Sequence, residues 1–183
     1  MRVRRVAAAG TAIAAMLGML TAGTAAATGP TQQQGVLATY QGRQIDLAQG
    51  WQGADVCSQD APGAVTCYDL PAEAKLGTEP GTRGTLDDCP HTYACLWAHA
   101  GAEGRRLQFH DSGTTDLGDW DFRDQATGAY NNREIYGFEL IDVRSFQPDR
   151  HLFVGVGQYV NLSKQSYPGP GSNWNDRVDK VHL

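Results

Sequence analysis

The stretch Leu96-Trp97-Ala98-His99-Ala100-Gly101-Ala102-Glu103-Gly104-Arg105-Arg106-Leu107-Gln108-Phe109 returns in altered form as Leu152-Phe153-Val154-Gly155-Val156-Gly157-Gln158-Tyr159-Val160-Asn161-Leu162. Placing Gly104 on Gly157 puts Leu107 on Val160 and Phe109 on Leu162, which preserves the two-residue alternation of a half-buried strand. The match resumes downstream. Phe122-Arg123-Asp124-Gln125-Ala126-Thr127-Gly128-Ala129-Tyr130 answers to Trp174-Asn175-Asp176-Arg177-Val178-Asp179-Lys180-Val181-His182, so Phe122 meets Trp174, Asp124 meets Asp176 and Ala126 meets Val178. The rival reading is that both similarities arise from generic β composition; the two in the same order are read as a duplicated unit. Each unit reads as two strands around a Gly-containing turn, an irregular excursion opened by an aromatic, and a closing strand, as in a four-stranded Greek key. The expected fold class is all-β, a sandwich of two such motifs with Trp97, Phe109, Phe122, Phe153 and Trp174 in its core.

Upstream, Leu37-Ala38-Thr39-Tyr40 and Gln44-Ile45-Asp46-Leu47 flank Gln41-Gly42-Arg43, a hairpin signal. A second hairpin turns at Asp60-Ala61-Pro62-Gly63. Residues 28–70 are expected to form a small β-rich module, thin enough in core to need a disulfide, or to pack on the second half as extra strands. Residues 71–88 contain Gly77, Pro80, Gly81 and Gly84 among charged residues and read as a linker or long surface loop. The repeated domain is then residues 89–183.

The amino terminus reads as an export signal. Arg2, Arg4 and Arg5 precede an apolar run over residues 6–20, and Ala25-Ala26-Ala27 supplies small residues for cleavage. The run falls short of the roughly 20 residues that span a bilayer. Cleavage after residue 27 leaves 12 basic against 20 acidic groups and moves the net charge from -5 to -8. An exported chain without a membrane segment is expected, and its acidity excludes the basic patch that nucleic acid requires. The oligomeric state is left open.

All four cysteines, Cys57, Cys67, Cys89 and Cys95, lie in the exported part, and an even count reads as two disulfides. Counting leaves three connectivities. Spacing favours Cys57 with Cys67 across a hairpin and Cys89 with Cys95 across a five-residue loop. A zinc site with His91 or His99 is disfavoured, since no C-x2-C pair is present.

Enzyme motifs are missing: there is no H-E-x-x-H, G-x-S-x-G, phosphate-cradling loop or dinucleotide fingerprint. His110-Asp111-Ser112 holds triad residue types, but neighbours in a strand or turn point apart and form no relay. The stretch Tyr167-Pro168-Gly169-Pro170-Gly171-Ser172-Asn173-Trp174 is long and aromatic-flanked, and reads as a crossover connector rather than a contact loop.

The run Trp97-x4-Ala102-x-Gly104 resembles the βγ-crystallin hairpin signature, with Ala102 in place of the second aromatic. Together with Cys89-Pro90-x4-Cys95, Leu96-Trp97 and Gly104-Arg105-Arg106-Leu107, it resembles the peptidase inhibitor family typified by the Streptomyces metalloproteinase inhibitor, exported by actinobacteria. The resemblance covers about residues 89–183 and is strongest over 89–130. It implies a βγ-crystallin-like fold and inhibition of an extracellular metalloprotease through an exposed, preorganised loop. That family's prototype clamps its inhibitory loop with a second-half disulfide, whereas this chain has no cysteine after Cys95, so no inhibitory loop is assigned.

The fold resemblance also implies calcium binding by two segments, each Asn/Asp, Asn/Asp, two residues, Ser/Thr, Ser. Here they are Arg123-Asp124-Gln125-Ala126-Thr127-Gly128 and Asn175-Asp176-Arg177-Val178-Asp179-Lys180. Asp124, Thr127, Asn175 and Asp176 are the candidate ligands of a weak site, and the rival reading makes the two aspartates local backbone caps. No cofactor is required. The reading is therefore a secreted, non-enzymatic peptidase inhibitor; the alternatives are a calcium-binding structural or cell-wall-binding module and a non-inhibitory protein-binding domain.

Overall fold

The computed structural model describes residues 35–61, 63–71, 85–170 and 172–183. The expected export signal and most of the expected 71–88 linker lie outside them. Every regular element described is a strand or a short 3-10 turn. The first hairpin pairs β1 (Leu37–Tyr40) with β2 (Arg43–Asp46) around Gln41 and Gly42, both at positive φ as primed hairpin turns require. The second pairs β3 (Val56–Ala61) with β4 (Ala64–Tyr68) and sets Cys57 directly opposite Cys67.

The first Greek key consists of β5 (Ala94–His99), β6 (Glu103–Phe109), β7 (Thr114–Asp116) and β8 (Gly128–Asn131). The second consists of β9 (Phe138–Asp142), β10 (Arg150–Val154), β11 (Tyr159–Asn161) and β12 (Lys180–His182). Each key places its first, second and fourth strands side by side and sends its third to the opposite sheet. The result is an eight-stranded sheet ordered β11-β8-β5-β6-β3-β4-β1-β2 and a four-stranded sheet ordered β10-β9-β12-β7. The all-β, two-sheet expectation holds. The strands of residues 37–68 extend the large sheet through the parallel β3–β6 pairing.

One buried cluster unites these parts, running from Tyr40, Leu47 and Trp51 through Leu107, Phe109 and Phe122 to Leu140, Trp174 and Val181. Full burial of side chains of this size contributes about 1.5 to 3 kcal/mol apiece. Trp51 stacks on Phe122 at 5.8 Å and donates its indole N–H to Trp120 O at 2.6 Å, tying the early residues to the first Greek key. A smaller cluster of Cys89, Cys95, Trp97 and Ala102 collects Leu86, Tyr93 and Tyr130 around the second disulfide. Gly104 meets both demands of its hairpin: its φ is +77°, and a Cβ there would stand 2.8 Å from the His99 ring.

Two expectations need correction. The duplication is real, but its first half was set out of register. Leu107 pairs with Leu96, which pairs with Ala129; Leu152 pairs with Leu140, which pairs with Val181. The β5–β6 hairpin therefore corresponds to β9–β10, and Leu107 to Leu152 rather than Val160. The strand matching β11 is β7, whose three polar residues carry no apolar alternation to align. Phe153 was accordingly misplaced in the core: Leu152 and Val154 face inward along β10, and Phe153 is 62% exposed. Its ring lies across Gly137, where a Cβ would approach it to 2.0 Å.

Candidate functional site

The two Greek keys meet along an approximate dyad that the backbone makes explicit. Asp124 N–H donates to Val178 O at 3.1 Å, and its counterpart Asp176 N–H donates to Ala126 O at 3.2 Å. Leu117 N–H donates to Asp179 O and, equivalently, Leu162 N–H to Thr127 O. Side chains follow suit: Gln125 Nε2 donates to Asp121 O at 3.1 Å and Arg177 Nε to Asn173 O at 2.9 Å. Asp124 and Asp176 both hold left-handed backbone, φ 56° and 53°, a region aspartate tolerates better than most side chains.

The dyad is broken at its charges. On one side Arg123, first residue of its segment, places Nη2 2.5 Å from Asp116 Oδ1 and Nε 3.3 Å from Asp179 Oδ1, with Lys180 Nζ 3.6 Å from Asp116 Oδ2. Burial alone would raise the Asp116 pKa, but hydrogen bonds from Arg123 and the Gly118 N–H, with the Arg123 and Lys180 charges, bring it below the ordinary aspartate value. On the other side the corresponding positions are Asn175 and Thr127. There the surface opens into a groove of about 540 Å³ lined by Asp124, Thr127, Asn175 and Asp176 together with Gln125 and His99.

The four predicted calcium ligands are thus neighbours in one groove. Asn175 Nδ2 donates to Asp176 Oδ2 at 2.5 Å, and Asn175 Oδ1 is buried with no hydrogen-bond partner. The Asp124 carboxyl is pushed above the ordinary aspartate value by burial and by the charges of Asp179, Asp142 and Asp176, against the pull of Arg123. Among the described residues, no three acidic, histidine or cysteine side chains converge on one point as a metal cluster.

The disulfides join Cys57 to Cys67 and Cys89 to Cys95. The loop closed by Cys89–Cys95 is fastened to Asn132, whose Nδ2 donates to Cys89 O at 2.8 Å while its backbone exchanges hydrogen bonds with Thr92 and Tyr93. Residue 132 begins the connection between the two keys, a segment the sequence did not single out. Its neighbour Asn131 is fully buried and donates to Tyr136 O and Val154 O while accepting from Arg133 N, all at 3.1 Å. Ile135 and Tyr136 nevertheless stand 65% and 75% exposed.

Other sequence candidates resolve simply. The two aromatics that bracket residues 168–173 meet: Trp174 is buried, Tyr167 packs edge-on against it, Tyr167 OH bonds Asp142, and Arg177 covers the Tyr167 ring at 4.6 Å. His110 contacts its neighbour Asp111 at 3.2 Å, whereas the Ser112 hydroxyl accepts from Arg133 Nη2. The β9–β10 loop holds Phe146 wholly exposed at φ 61°.

Residues 82–136 match the model of peptidase inhibitor family I36. That segment spans the first Greek key, the Cys89–Cys95 loop and most of the connection to the second key, and the family is one of inhibitors rather than enzymes. No curated protein and no solved structure matches the chain.

Proposed function

We propose that this chain, carrying the peptidase inhibitor family I36 over residues 82–136, is a secreted inhibitor of an extracellular metallopeptidase that acts through an exposed loop on a βγ-crystallin-like scaffold. The observation that carries the reading is the coincidence of the matched segment with the disulfide-fastened part of the fold. A peptidase inhibitor must offer peptide to a cleft without losing affinity to the ordering of that peptide on binding. A segment already tied by a disulfide and buried hydrogen bonds has little conformational freedom left to lose. The two disulfides suit an oxidising compartment, and the basic and apolar start of the chain suits export to it.

The test is to express the whole chain with its amino-terminal segment, recover the protein from the medium, and titrate it against thermolysin and a panel of other extracellular peptidases. Loss of activity at about one equivalent is expected, as for tight protease–inhibitor pairs. Full residual activity at excess inhibitor across the panel would refute the reading.

A second reading is favoured by the groove at the dyad, where four oxygen-bearing residues and the unpartnered Asn175 Oδ1 suit a hard cation. We propose that it takes one calcium ion weakly, as a stabilising rather than a catalytic ligand. A melting temperature that rises with calcium in the millimolar range, about the affinity of extracellular modules, and no longer rises in Asn175→Ala supports it; an unchanged melting temperature counts against it.

A further inference from the structure

We propose that the pocket between the β6–β7 turn and the connection joining the two keys binds a small organic carboxylate. Its two oxygens are taken by Arg133 Nη1 and the Ser112 hydroxyl, and its apolar tail lies against Ile135 and Tyr136. The site is separate from the groove at the dyad, and its occupancy does not require that the chain inhibit a peptidase. The pocket encloses about 240 Å³, below the usual range for drug-sized ligands, and so admits a molecule of few atoms or the last residue of a peptide.

The donors are placed by the fold. Asn131 Oδ1 accepts from Arg133 N at 3.1 Å, and Arg133 Nη2 donates to Ser112 Oγ at 3.2 Å, so the guanidinium spans from one wall of the pocket to the other. Nη1 lies in the same plane, buried and without a hydrogen-bond partner. A charged nitrogen left so carries a desolvation cost that an oxyanion relieves through a charge-assisted bond. Ser112 Oγ accepts from Arg133, which leaves its own hydrogen to donate. One charged and one neutral donor on adjoining groups match the two oxygens of a carboxylate. Thr92 brings a second hydroxyl to the wall from φ 76°, a conformation costly for a β-branched residue and of the kind that collects at ligand clamps.

The other groups choose the class of anion. Glu134 lines the pocket, and Asp111 Oδ2 is buried without a partner in the adjoining turn. Two carboxylates so near oppose a dianion such as sulfate more than a single negative charge. Glu134 is itself 63% exposed and 3.7 Å from His91 Nε2, so its field is partly screened. His110, held by Asp111 at 3.2 Å and tilted against the Tyr93 ring at 5.3 Å, closes the far side. Ile135 and Tyr136 are largely exposed while the pocket is empty, and a hydrocarbon tail would cover them. The chemistry is that of a free aliphatic or aromatic acid and equally that of a peptide's carboxy terminus.

The test is an NMR shift titration of the whole secreted chain with sodium benzoate, with benzamide as its uncharged counterpart and sodium sulfate at matched ionic strength. Benzoate should shift the Thr92 and Ser112 amides and the Arg133 Nε–H saturably in the millimolar range, as suits a ligand of about nine non-hydrogen atoms. Benzamide and sulfate should each bind at least about tenfold more weakly. Arg133→Gln should lose at least about tenfold in benzoate affinity, with the β9 and β12 amides unmoved as proof of an intact fold. Should that variant unfold, Ser112→Ala, at an exposed position, should lose about threefold. Ile135→Ser should weaken benzoate about threefold and leave acetate unchanged. An N-acetylated tripeptide ending in leucine that binds more tightly than benzoate identifies a peptide terminus as the ligand, and weaker binding identifies a free acid; both sustain the site. Absence of saturable shifts with benzoate, an equal response to benzamide, tighter binding of sulfate, or unchanged affinity in Arg133→Gln and Ser112→Ala overturns it.

Discussion

Arg123 and Asp179 are joined across the boundary between the two Greek keys, Nε to Oδ1 at 3.3 Å, and the carboxylate partner is only 12% exposed. Their dyad counterparts, Asn175 and Thr127, bear no charge and line the open groove. One side of the dyad is thus closed by a cation belonging to the chain, and the other is open to solvent.

Arg123→Met should therefore destabilise the fold by about 1 to 3 kcal/mol, since it leaves Asp179 with less compensation in a mostly buried position. For a domain of this size the melting temperature falls by roughly 2 to 4 °C per kcal/mol. The pH dependence has a definite sign. Asp116 is held below its ordinary value of 3.8, so its contribution is present above that value and is lost as pH falls through the lower folded-state pKa. Differential scanning calorimetry should find the gap between parent and variant wide at neutral pH and narrowing in that acidic window.

Asp124→Asn should behave oppositely. The Asp124 pKa is raised in the folded state, so its ionised form is disfavoured there at neutral pH and the penalty disappears as pH falls through the folded value. Asparagine keeps the tolerance for φ 56° and removes the charge. A small rise in melting temperature at pH 7 is expected, limited because solvent screens a group this exposed. With calcium present the order should reverse if the groove holds the ion, which melting curves in chelator and in calcium will distinguish.

Asn131→Ala should cost about 1 to 3 kcal/mol, because it leaves the buried Val154 carbonyl and the half-buried Arg133 N–H and Tyr136 carbonyl without their partner. Urea denaturation will read that loss. Limited proteolysis should also find residues 133–136 cut faster than in the parent, whereas a loss of packing alone would leave the cleavage pattern unchanged.

Replacing Cys89 and Cys95 together by serine should cost about 2 to 5 kcal/mol, the usual contribution of a native bridge in a small secreted domain. Asn132 is fastened to Cys89 O, so the connection between the keys should loosen with the bridge. Hydrogen exchange at Asn132 should accelerate more than exchange in β9 or β12. Equal acceleration everywhere would show that the bridge acts only on the unfolded chain.

The closing segments were legible because the dyad makes the same demand on both copies. Phe122 and Trp174 are both buried, Asp124 and Asp176 take the same left-handed turn, and Ala126 and Val178 receive the reciprocal N–H groups. Their convergence on one groove could be anticipated from a fold resemblance. The ion pairs of Arg123 could not, since Asp116 ends a three-residue polar strand that leaves no periodic trace. The parallel β3–β6 join has no local signature either, as it unites segments some 50 residues apart through backbone hydrogen bonds and one buried side-chain bond, Gln108 Nε2 to Ser58 Oγ at 2.9 Å. Residues 132–137 carry no periodic signal of their own, and the buried Asn131 that shapes them resembles any polar residue in the sequence.

The exchange of third strands has a mechanical result. β7 is seated beside β12 and β11 beside β8, so each half of the repeated domain is clasped by a strand of the other. Severing the connection between the keys would divide the polypeptide in two without freeing either piece, since parting them means stripping a strand from each sheet at once. A molecule so fastened can be cut between its two halves and still arrive at its next encounter whole.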